Sequence, residues 1–199
     1  MKIKSNAAPH EISSPFFQLN KEFCATFERY MAKKGGLVKG KYNARSFLIF
    51  GKIEHPESWD LMYKKSTFTN SGNLLLSAKS QGLLTMATWS TTIANSGFPS
   101  FSIRKRKKRN LLRILLSKNV TALNIGKGYI LEAKSGVLNP SFYDMVLVLK
   151  PLFEDKKIYT INFKKNKLTI ELRSENHHFD VFDNILDIFK AKAKKNPED

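Results

Sequence analysis

Hydrophobic side chains recur at helical spacing in the stretch that follows two serines near the amino terminus. Ser13 and Ser14 suit a helix cap, Pro15 suits the first helical position, and the glycines after Lys34 suit a stop. The pattern therefore predicts an amphipathic helix from about Pro15 to Lys34. Its predicted apolar face carries Phe16, Leu19, Phe23, Phe27 and Tyr30.

The rest of the first half has the features of β-structure. β-branched and aromatic residues are concentrated in short runs that are separated by turn-forming residues. In the last of these runs, Phe101 and Ile103 alternate with Ser102 and Arg104. We therefore predict a four-stranded antiparallel meander, with strands at about Arg45 to Ile53, Trp59 to Lys64, Leu83 to Thr92 and Phe98 to Arg104.

The second half mixes strands and helices. A short strand is predicted at Tyr129 to Ala133, and Asn139-Pro140 opens a predicted helix that runs to about Phe153. A hairpin is predicted around Lys164-Lys165-Asn166, between strands at Lys156 to Phe163 and Lys167 to Arg173. The last predicted helix runs from about Phe179 to Lys194, with aspartates early and lysines late, as the helix dipole favours.

These elements predict an α+β fold, in which a largely antiparallel sheet, or two small sheets, is covered by about three to four helices. We expect a flexible amino terminus at 1–14, one domain at 15–195 with candidate sub-halves at 15–105 and 120–195, and a tail at 196–199. The first residues lack the apolar region of a secretory signal, and no window reaches the apolar length of a membrane span. We expect a cytoplasmic protein, with peripheral association at the inner membrane as a further hypothesis.

The composition is that of a folded domain, with a large excess of basic over acidic residues. Of the 199 residues, 42% are hydrophobic, and 34 Lys and Arg face 17 Asp and Glu, for a formal net charge of +17. No acidic residue lies between Leu61 and Leu131, where twelve basic residues occur. The single Cys24 cannot form an internal disulfide and is predicted to be a small core residue.

The basic residues are densest in one run, which is the candidate anion-binding site. Six adjacent cations repel one another unless solvent or an anion compensates them. The segment from Lys107 to Lys118 is predicted to be amphipathic if helical, because its leucines and isoleucine share one arc. The candidate residues are Arg104, Lys105, Arg106, Lys107, Lys108, Arg109, Arg113 and Lys118.

Three interpretations of this run remain open: a solvated loop, docking on an anionic membrane, and sequence-tolerant nucleic-acid binding. Nucleic-acid binding needs exposed aromatic rings beside the cations. Trp89, Phe98 and Phe101 lie close in sequence, and Tyr42 with nearby lysines could add to them. Burial is the usual fate of such rings, so we predict that they belong to the core. A protein partner or a small-ligand pocket between sheet and helices also stays open.

Enzyme chemistry has weak support. The one cluster that could bind a metal or act as acid and base comprises His177, His178, Asp180, Asp183 and Asp187. Acidic residues early in a helix more often serve the dipole and solubility. The glycine-containing turns match neither a dinucleotide fingerprint nor a phosphate-binding loop, so we expect no cofactor and name no catalytic residue.

The order of elements after the first helix resembles the soluble portion of a group of bacterial membrane-associated proteins of unknown function. The residues that carry this resemblance are Gly40 to Phe47 and Tyr159 to Phe189. The resemblance implies association with a membrane, and it implies no catalytic residue because the group has no established activity. Our leading hypothesis is a non-enzymatic domain that docks on an anionic partner, first a membrane surface, through the basic run.

Overall fold

Strands make up most of the secondary structure. The computed structural model describes residues 2–55, 57–66, 84–93, 99–106, 117, 119–123, 125, 128–133 and 140–193. The strands are β1 (Ile3–Ser5), β2 (Leu37–Tyr42), β3 (Phe47–Ile53), β4 (Trp59–Ser66), β5 (Leu84–Thr92), β6 (Phe101–Lys105), β7 (Val120–Leu123), β8 (Tyr129–Ala133), β9 (Ile158–Lys164) and β10 (Lys167–Arg173). Within the described residues the α-helices are α1 (Pro15–Lys33), α2 (Pro140–Val148), α3 (Lys150–Glu154) and α4 (Phe179–Ala193).

The chain divides into two compact units. The first unit comprises Met1–Trp89 and Arg173–His177, and the second comprises Ser90–Leu172 and His178–Asp199. In the first unit the strand order is β1-β2-β3-β4-β5, with β1 parallel to β2 and antiparallel pairs between β2, β3 and β4. In the second unit the order is β10-β9-β6-β8-β7, and the four pairs are antiparallel.

The predicted fold class is wrong. Among the described residues strands dominate both units, and their pairing is mixed because β1 runs parallel to β2. The helices lie near the start of the chain and in its last third, which differs from the prediction of three to four helices covering a largely antiparallel sheet or two small sheets. The sequence pattern missed β1, β2 and β7. β1 and β7 have only three and four residues, too few to show a periodicity, and β2 contains a glycine and two lysines, which are depleted in strands.

The predicted meander is also wrong in its fourth strand. β3 and β4 pair as neighbours, as expected, but β6 lies between β9 and β8. Phe101 pairs with Phe163 of β9 and with Ala133 of β8, so its partners lie more than 30 residues further along the chain. Alternation along one strand defines its two faces but does not name its neighbours.

In the first unit, α1 packs on one face of β2 and β3. A Cβ placed at Gly51 would lie 2.6 Å from Phe27 Cζ and 2.7 Å from Met31 Cε, so glycine permits this close approach.

The extent of α1 confirms the predicted helix, but its buried face is rotated relative to the predicted one. Phe16 and Leu19 are exposed, whereas the buried residues are Phe17, Asn20, Cys24, Phe27, Tyr30 and Met31. Phe16 and Phe17 are both apolar, so the sequence pattern fits a buried face that contains either of them.

In the second unit, helices pack on one face of the sheet. The ring centroids of Phe101 and Phe142 are 4.9 Å apart, and those of Tyr129 and Phe153 are also 4.9 Å apart. The predicted helix from Asn139 to Phe153 is divided into α2 and α3. Pro151 near the start of α3 lacks an N–H, which weakens the continuity of the helix at this point.

The predicted hairpin is confirmed. Lys164 of β9 pairs with Lys167 of β10, and the two residues between them both have positive φ, 51° at Lys165 and 60° at Asn166. These angles are those of a two-residue type I′ turn, in which asparagine is favoured. The predicted last helix, Phe179 to Lys194, corresponds to α4.

A candidate anion-binding face

The predicted basic run is described in part. Arg104 Nη2 lies 3.4 Å from Glu132 Oε2, so a carboxylate on the adjacent strand offsets its charge. Lys105 and Arg106 are exposed where β6 ends, and the Arg106 backbone N–H donates to Gly128 O. The remaining candidates, and the segment predicted to be an amphipathic helix, lie outside the described residues: Lys107, Lys108, Arg109, Arg113 and Lys118.

The aromatic residues near this run are core residues where they are described. Trp89 and Phe101 are buried, as predicted, and Trp89 Nε1 donates a hydrogen bond of 3.1 Å to Tyr63 Oη. Burial raises the pKa of the Tyr63 hydroxyl, which stays protonated and donates to His177 O at 2.9 Å. Phe98 lies outside the described residues. Neither Trp89 nor Phe101 offers a ring on which a nucleic-acid base could stack.

The predicted metal or acid-base cluster is divided between the units. His177 belongs to the first unit, where its ring stacks on Phe23 at 3.7 Å and its Nε2 lies 3.0 Å from Phe23 O. His178 belongs to the second unit, and its carbonyl accepts the Phe182 N–H at the start of α4. Within the described residues, no three or more His, Cys, Asp and Glu side chains form a group that could hold a metal ion.

Burial shifts the pKa values of two titratable side chains, Cys24 and His178, in opposite directions. Burial and the nearby Glu28 raise the pKa of the Cys24 thiol to about 12, so this buried residue stays protonated. Partial burial lowers the pKa of His178, and the effect of Lys157 adds to it while Asp180 opposes it. Asp187, on the exposed side of α4, pairs with Lys190 at 3.2 Å.

The sequence prediction did not identify a second cationic surface, on the first unit. The strands β1 to β4 carry it on the face opposite α1, and we call it the lysine face. Strand register places Lys4, Lys41, Leu48 and Lys64 in one row across the four strands. The next row contains Lys39, Phe50 and Met62. Paired residues of adjacent strands share a face, so these seven side chains project together.

The other face of the same strands is buried against α1. Ile49, Gly51 and Ile53 of β3 are buried, and they alternate with Leu48, Phe50 and Lys52 of the lysine face. Lys65 shows the difference between the faces. It neighbours Lys64 in sequence, but it pairs with Phe47 on the helix side and its Nζ donates to Asn20 Oδ1 at 2.9 Å. Partial burial lowers the Lys65 pKa.

The amino-terminal strand adds a fourth lysine to the face. Lys4 lies on β1, which pairs with β2 over only three residues. Two contacts outside the strand pairing hold it in place: the Ile3 N–H donates to Glu28 Oε1 at 2.6 Å, and the Asn6 N–H donates to Tyr42 O at 2.9 Å. A charged acceptor makes the first of these a strong hydrogen bond. Helix α1 thereby sets the position of Lys4.

The lysine face concentrates positive charge without local compensation. Within the described residues, Lys4, Lys39, Lys41 and Lys64 form no ion pair with a carboxylate. Adjacent strands lie about 4.8 Å apart and alternate residues about 7 Å apart, so the four positions lie within roughly 10 Å of their neighbours. That distance is comparable to the Debye length of about 8 Å at physiological ionic strength, so the charges act together.

The row beyond Phe50 is electrically balanced. Its members are Leu37, Lys52 and Asp60, and Lys52 Nζ lies 3.0 Å from Glu54 Oε1. The hydrogen bond between them raises the pKa of Lys52 and lowers that of Glu54. The excess charge is therefore confined to the part of the face that contains the four lysines.

Apolar side chains lie among the lysines. Leu48 is 40% exposed between Lys41 and Lys64, and Leu37 is 56% exposed in the balanced row. The Lys39 ammonium lies 5.7 Å from the centroid of the half-buried Phe50 ring, within the range of a cation–π contact. The face can thus offer charge and hydrophobic contact to the same flat partner.

Comparisons with known proteins add no identity. A scan against protein-family models finds no match for this chain, and a search of curated proteins finds none either. Among the residues that the structure describes, no helix is both long enough and apolar enough to cross a membrane.

Proposed function

We propose that the protein docks on the surface of an anionic membrane, with the lysine face as its principal contact. The observation that carries this proposal is the cluster of four lysines, Lys4, Lys39, Lys41 and Lys64, which have no carboxylate partner among the described residues and lie around exposed Leu48 on one sheet face. The basic run that begins at Arg104 is a second contributor in this proposal, because Lys105 and Arg106 are exposed.

The charge supplies most of the affinity. A lysine close to an anionic leaflet contributes about 1 kcal/mol, so four lysines together contribute roughly 4 kcal/mol. That sum corresponds to an effect of about a thousandfold on partitioning if the four contributions add. The attraction is screened within a Debye length, so binding falls steeply as salt is added.

Hydrophobic contact supplies the second component of binding. Stable peripheral attachment generally needs two signals, such as cationic residues together with buried apolar area. Leu48 lies in the same row as three of the lysines, so contact of their ammonium groups with lipid headgroups brings its side chain to the interface. An open sheet face with charged and apolar side chains can contact a lipid surface, whereas a stacked nucleic-acid base needs an open aromatic ring. Phe50 is half-buried, and Lys39 lies over it.

The test compares three variants in co-sedimentation with phosphatidylcholine vesicles, with and without phosphatidylglycerol. The first variant, K4Q/K39Q/K41Q/K64Q, removes the four charges of the lysine face. The second replaces Arg104, Lys105, Arg106, Lys107, Lys108 and Arg109 by Gln. The matched control, K21Q/R29Q/K33Q/K34Q, removes three charges from α1 and one from Lys34, the residue that caps it, and α1 packs on the other face of the same strands.

The wild-type protein is expected to bind the anionic vesicles and not the neutral ones, and its affinity should fall at high salt. A single-stranded oligonucleotide, added as competitor, should leave this binding in place. The lysine-face variant should lose at least tenfold in affinity, and the α1 control should retain most of it. Equal losses in these two variants would show that only total charge matters, which contradicts the proposal. Release of the protein by the oligonucleotide would indicate nucleic acid as the partner instead.

A further inference from the structure

A groove in the second unit combines hydrogen-bonding side chains with an exposed ammonium group. Its volume is about 570 Å³, within the range of small-ligand sites. It lies where β6, β8 and β9 are adjacent, over the ends of these strands. The polar side chains that line it are Ser100, Ser102, Asn119, Glu132, Asn162 and Lys164.

Three of these residues form a row across neighbouring strands. Ser102 on β6 pairs with Asn162 on β9 and with Glu132 on β8, so their side chains project from one face of the sheet. Part of this row is already bonded within the protein. Glu132 Oε2 holds Arg104 at 3.4 Å, and Asn162 Nδ2 donates to Thr160 Oγ1 at 3.2 Å. The Asn162 amide oxygen and the Ser102 hydroxyl have no hydrogen bond within the described residues, which leaves both available to a ligand.

Lys164 lines one end of the groove, and the lysines next to it in the hairpin form a second, independent feature. Lys164 pairs directly with Lys167 across the hairpin, and Lys165 lies in the turn between them. All three are exposed, and within the described residues none forms an ion pair with a carboxylate. Like charges directly opposite one another destabilise a strand pair. An anion at the hairpin tip would relieve that repulsion.

We propose that this groove binds a small phosphomonoester whose organic part carries hydroxyl groups. The phosphate would lie against Lys164 and Lys167, and the hydroxyl groups would bond to Ser102, Asn162 and the Glu132 carboxylate. The Glu132 carboxylate can accept a hydrogen bond from a ligand hydroxyl group, and it would repel a phosphate. The phosphate of the ligand therefore lies at the other end of the groove, beside the lysines. Phe101 and Phe163 also border the groove, but both side chains are buried, and the Phe101 ring packs on Phe142 of α2, so the polar row and Lys164 supply the contacts to the ligand.

Other ligand classes fit the groove less well. A divalent cation needs several oxygen ligands, and the groove offers one carboxylate that already holds Arg104. A wholly apolar ligand would cover the hydroxyl and amide groups without bonding to them, at a cost in free energy. Inorganic phosphate alone would contact the lysines but would form no hydrogen bonds with Ser102, Asn162 and Glu132.

The test is titration of the full chain, without vesicles, by calorimetry and by NMR of the asparagine side-chain amides. The probes are ribose 5-phosphate, adenosine 5′-monophosphate, ribose and inorganic phosphate. At least one of the two phosphomonoesters should bind ten times more tightly than ribose or inorganic phosphate and should shift the Asn162 amide signals. A preference for adenosine 5′-monophosphate would identify a nucleotide, and a preference for ribose 5-phosphate would identify a sugar phosphate.

Variants separate this site from general attraction of anions. K164Q/K167Q should lose at least tenfold in affinity for the phosphomonoester while its thermal midpoint stays the same or rises, because the opposed charges are removed. S102A should lose several-fold. The control K150Q/K190Q removes two exposed lysines that already pair with Glu154 and Asp187, and it should bind as the wild type does. Equal affinity for inorganic phosphate, no binding of either phosphomonoester, or an equal loss in the control would overturn the proposal.

Discussion

The two units cover one sheet face with helices and place different chemistry on the other. In the first unit the open face has Lys4, Lys39, Lys41 and Lys64, none of which pairs with a carboxylate in the part of the chain that the structure describes. In the second unit the corresponding face has the pair Arg104 and Glu132 beside neutral Ser102, Thr160 and Asn162. The same layering therefore yields a cationic surface in the first unit and, away from the lysines at the hairpin tip, a balanced polar surface in the second. The residues at outward positions of the strands cause this difference in charge.

The segment with the largest excess of positive charge is not the segment that supplies most of the lysine face. The acid-free stretch between Leu61 and Leu131 has the largest charge excess in the sequence. Yet Arg104, at the start of its basic run, is paired with a glutamate from outside that stretch. Three of the four lysines of the lysine face come from the first 41 residues, where acidic residues are also present. Tertiary placement therefore decides which cations lack a partner.

The largest effect is expected from damage to the layer that supports the lysine face. Phe27→Ala should lower the free energy of unfolding by about 3–5 kcal/mol, because a fully buried ring is removed from the contact of α1 with β3. Phe16→Ala on the same helix, 55% exposed, should change it by less than about 0.5 kcal/mol. Denaturant titration measures both, and equal losses would contradict the placement of the two phenylalanines.

A single negative charge should distinguish the two open faces. Leu48→Glu puts a carboxylate between Lys41 and Lys64, and we expect at least a tenfold loss of anionic-vesicle affinity, about 1.4 kcal/mol. Thr169→Glu introduces the same charge on the open face of the second unit, beside Asn162, and should change that affinity less than twofold. Co-sedimentation of both proteins compares them, and a similar loss in each would make the lysine face no more important than any other surface.

The balanced face of the second unit should show a small but measurable pairwise energy. Arg104 and Glu132 are partly exposed, so a double-mutant cycle with Arg104→Gln and Glu132→Gln should give a coupling of about 0.5 kcal/mol. The same cycle on Lys4 and Lys41 should give the opposite sign at low salt, because like charges are neighbours there. Thermal or denaturant unfolding measures both cycles. Coupling energies of the same sign would contradict the view that the second unit has an attractive pair on its open face and the first unit a repulsive one.

The smallest effect concerns the start of α4. Partial burial lowers the pKa of His178 in the folded protein, so the folded form binds protons less readily than the unfolded chain. The stabilisation is complete above the unfolded pKa of about 6.5 and decreases as pH falls through and below that value. His178→Gln should flatten this part of the pH profile of the unfolding free energy. A profile with an unchanged slope would show that other groups cause the pH dependence.

Local patterns predicted several elements well. The extent of α1, the hairpin at Lys165-Asn166 and the helix that starts at Phe179 all follow from signals within a few residues of one another. The buried stripe of α1 did not follow, because Phe16 and Phe17 are equally apolar and only the strands beneath α1 select one of them. The lysine face was missed for a related reason, since only the pairing of β2 with β1 and β3, and of β3 with β4, brings Lys39 and Lys41 together with Lys4 and Lys64.

Composition and short-range periodicity were enough to predict where most helices and strands occur, the burial of Cys24, Trp89 and Phe101, and the large excess of positive charge. Tertiary packing places β6 between β9 and β8, pairs Glu132 with Arg104, and puts lysines from the three strands β1, β2 and β4 on one face. Strand pairing joins residues that are distant in sequence, and it depends on the free energy of the whole sheet, which no local pattern contains.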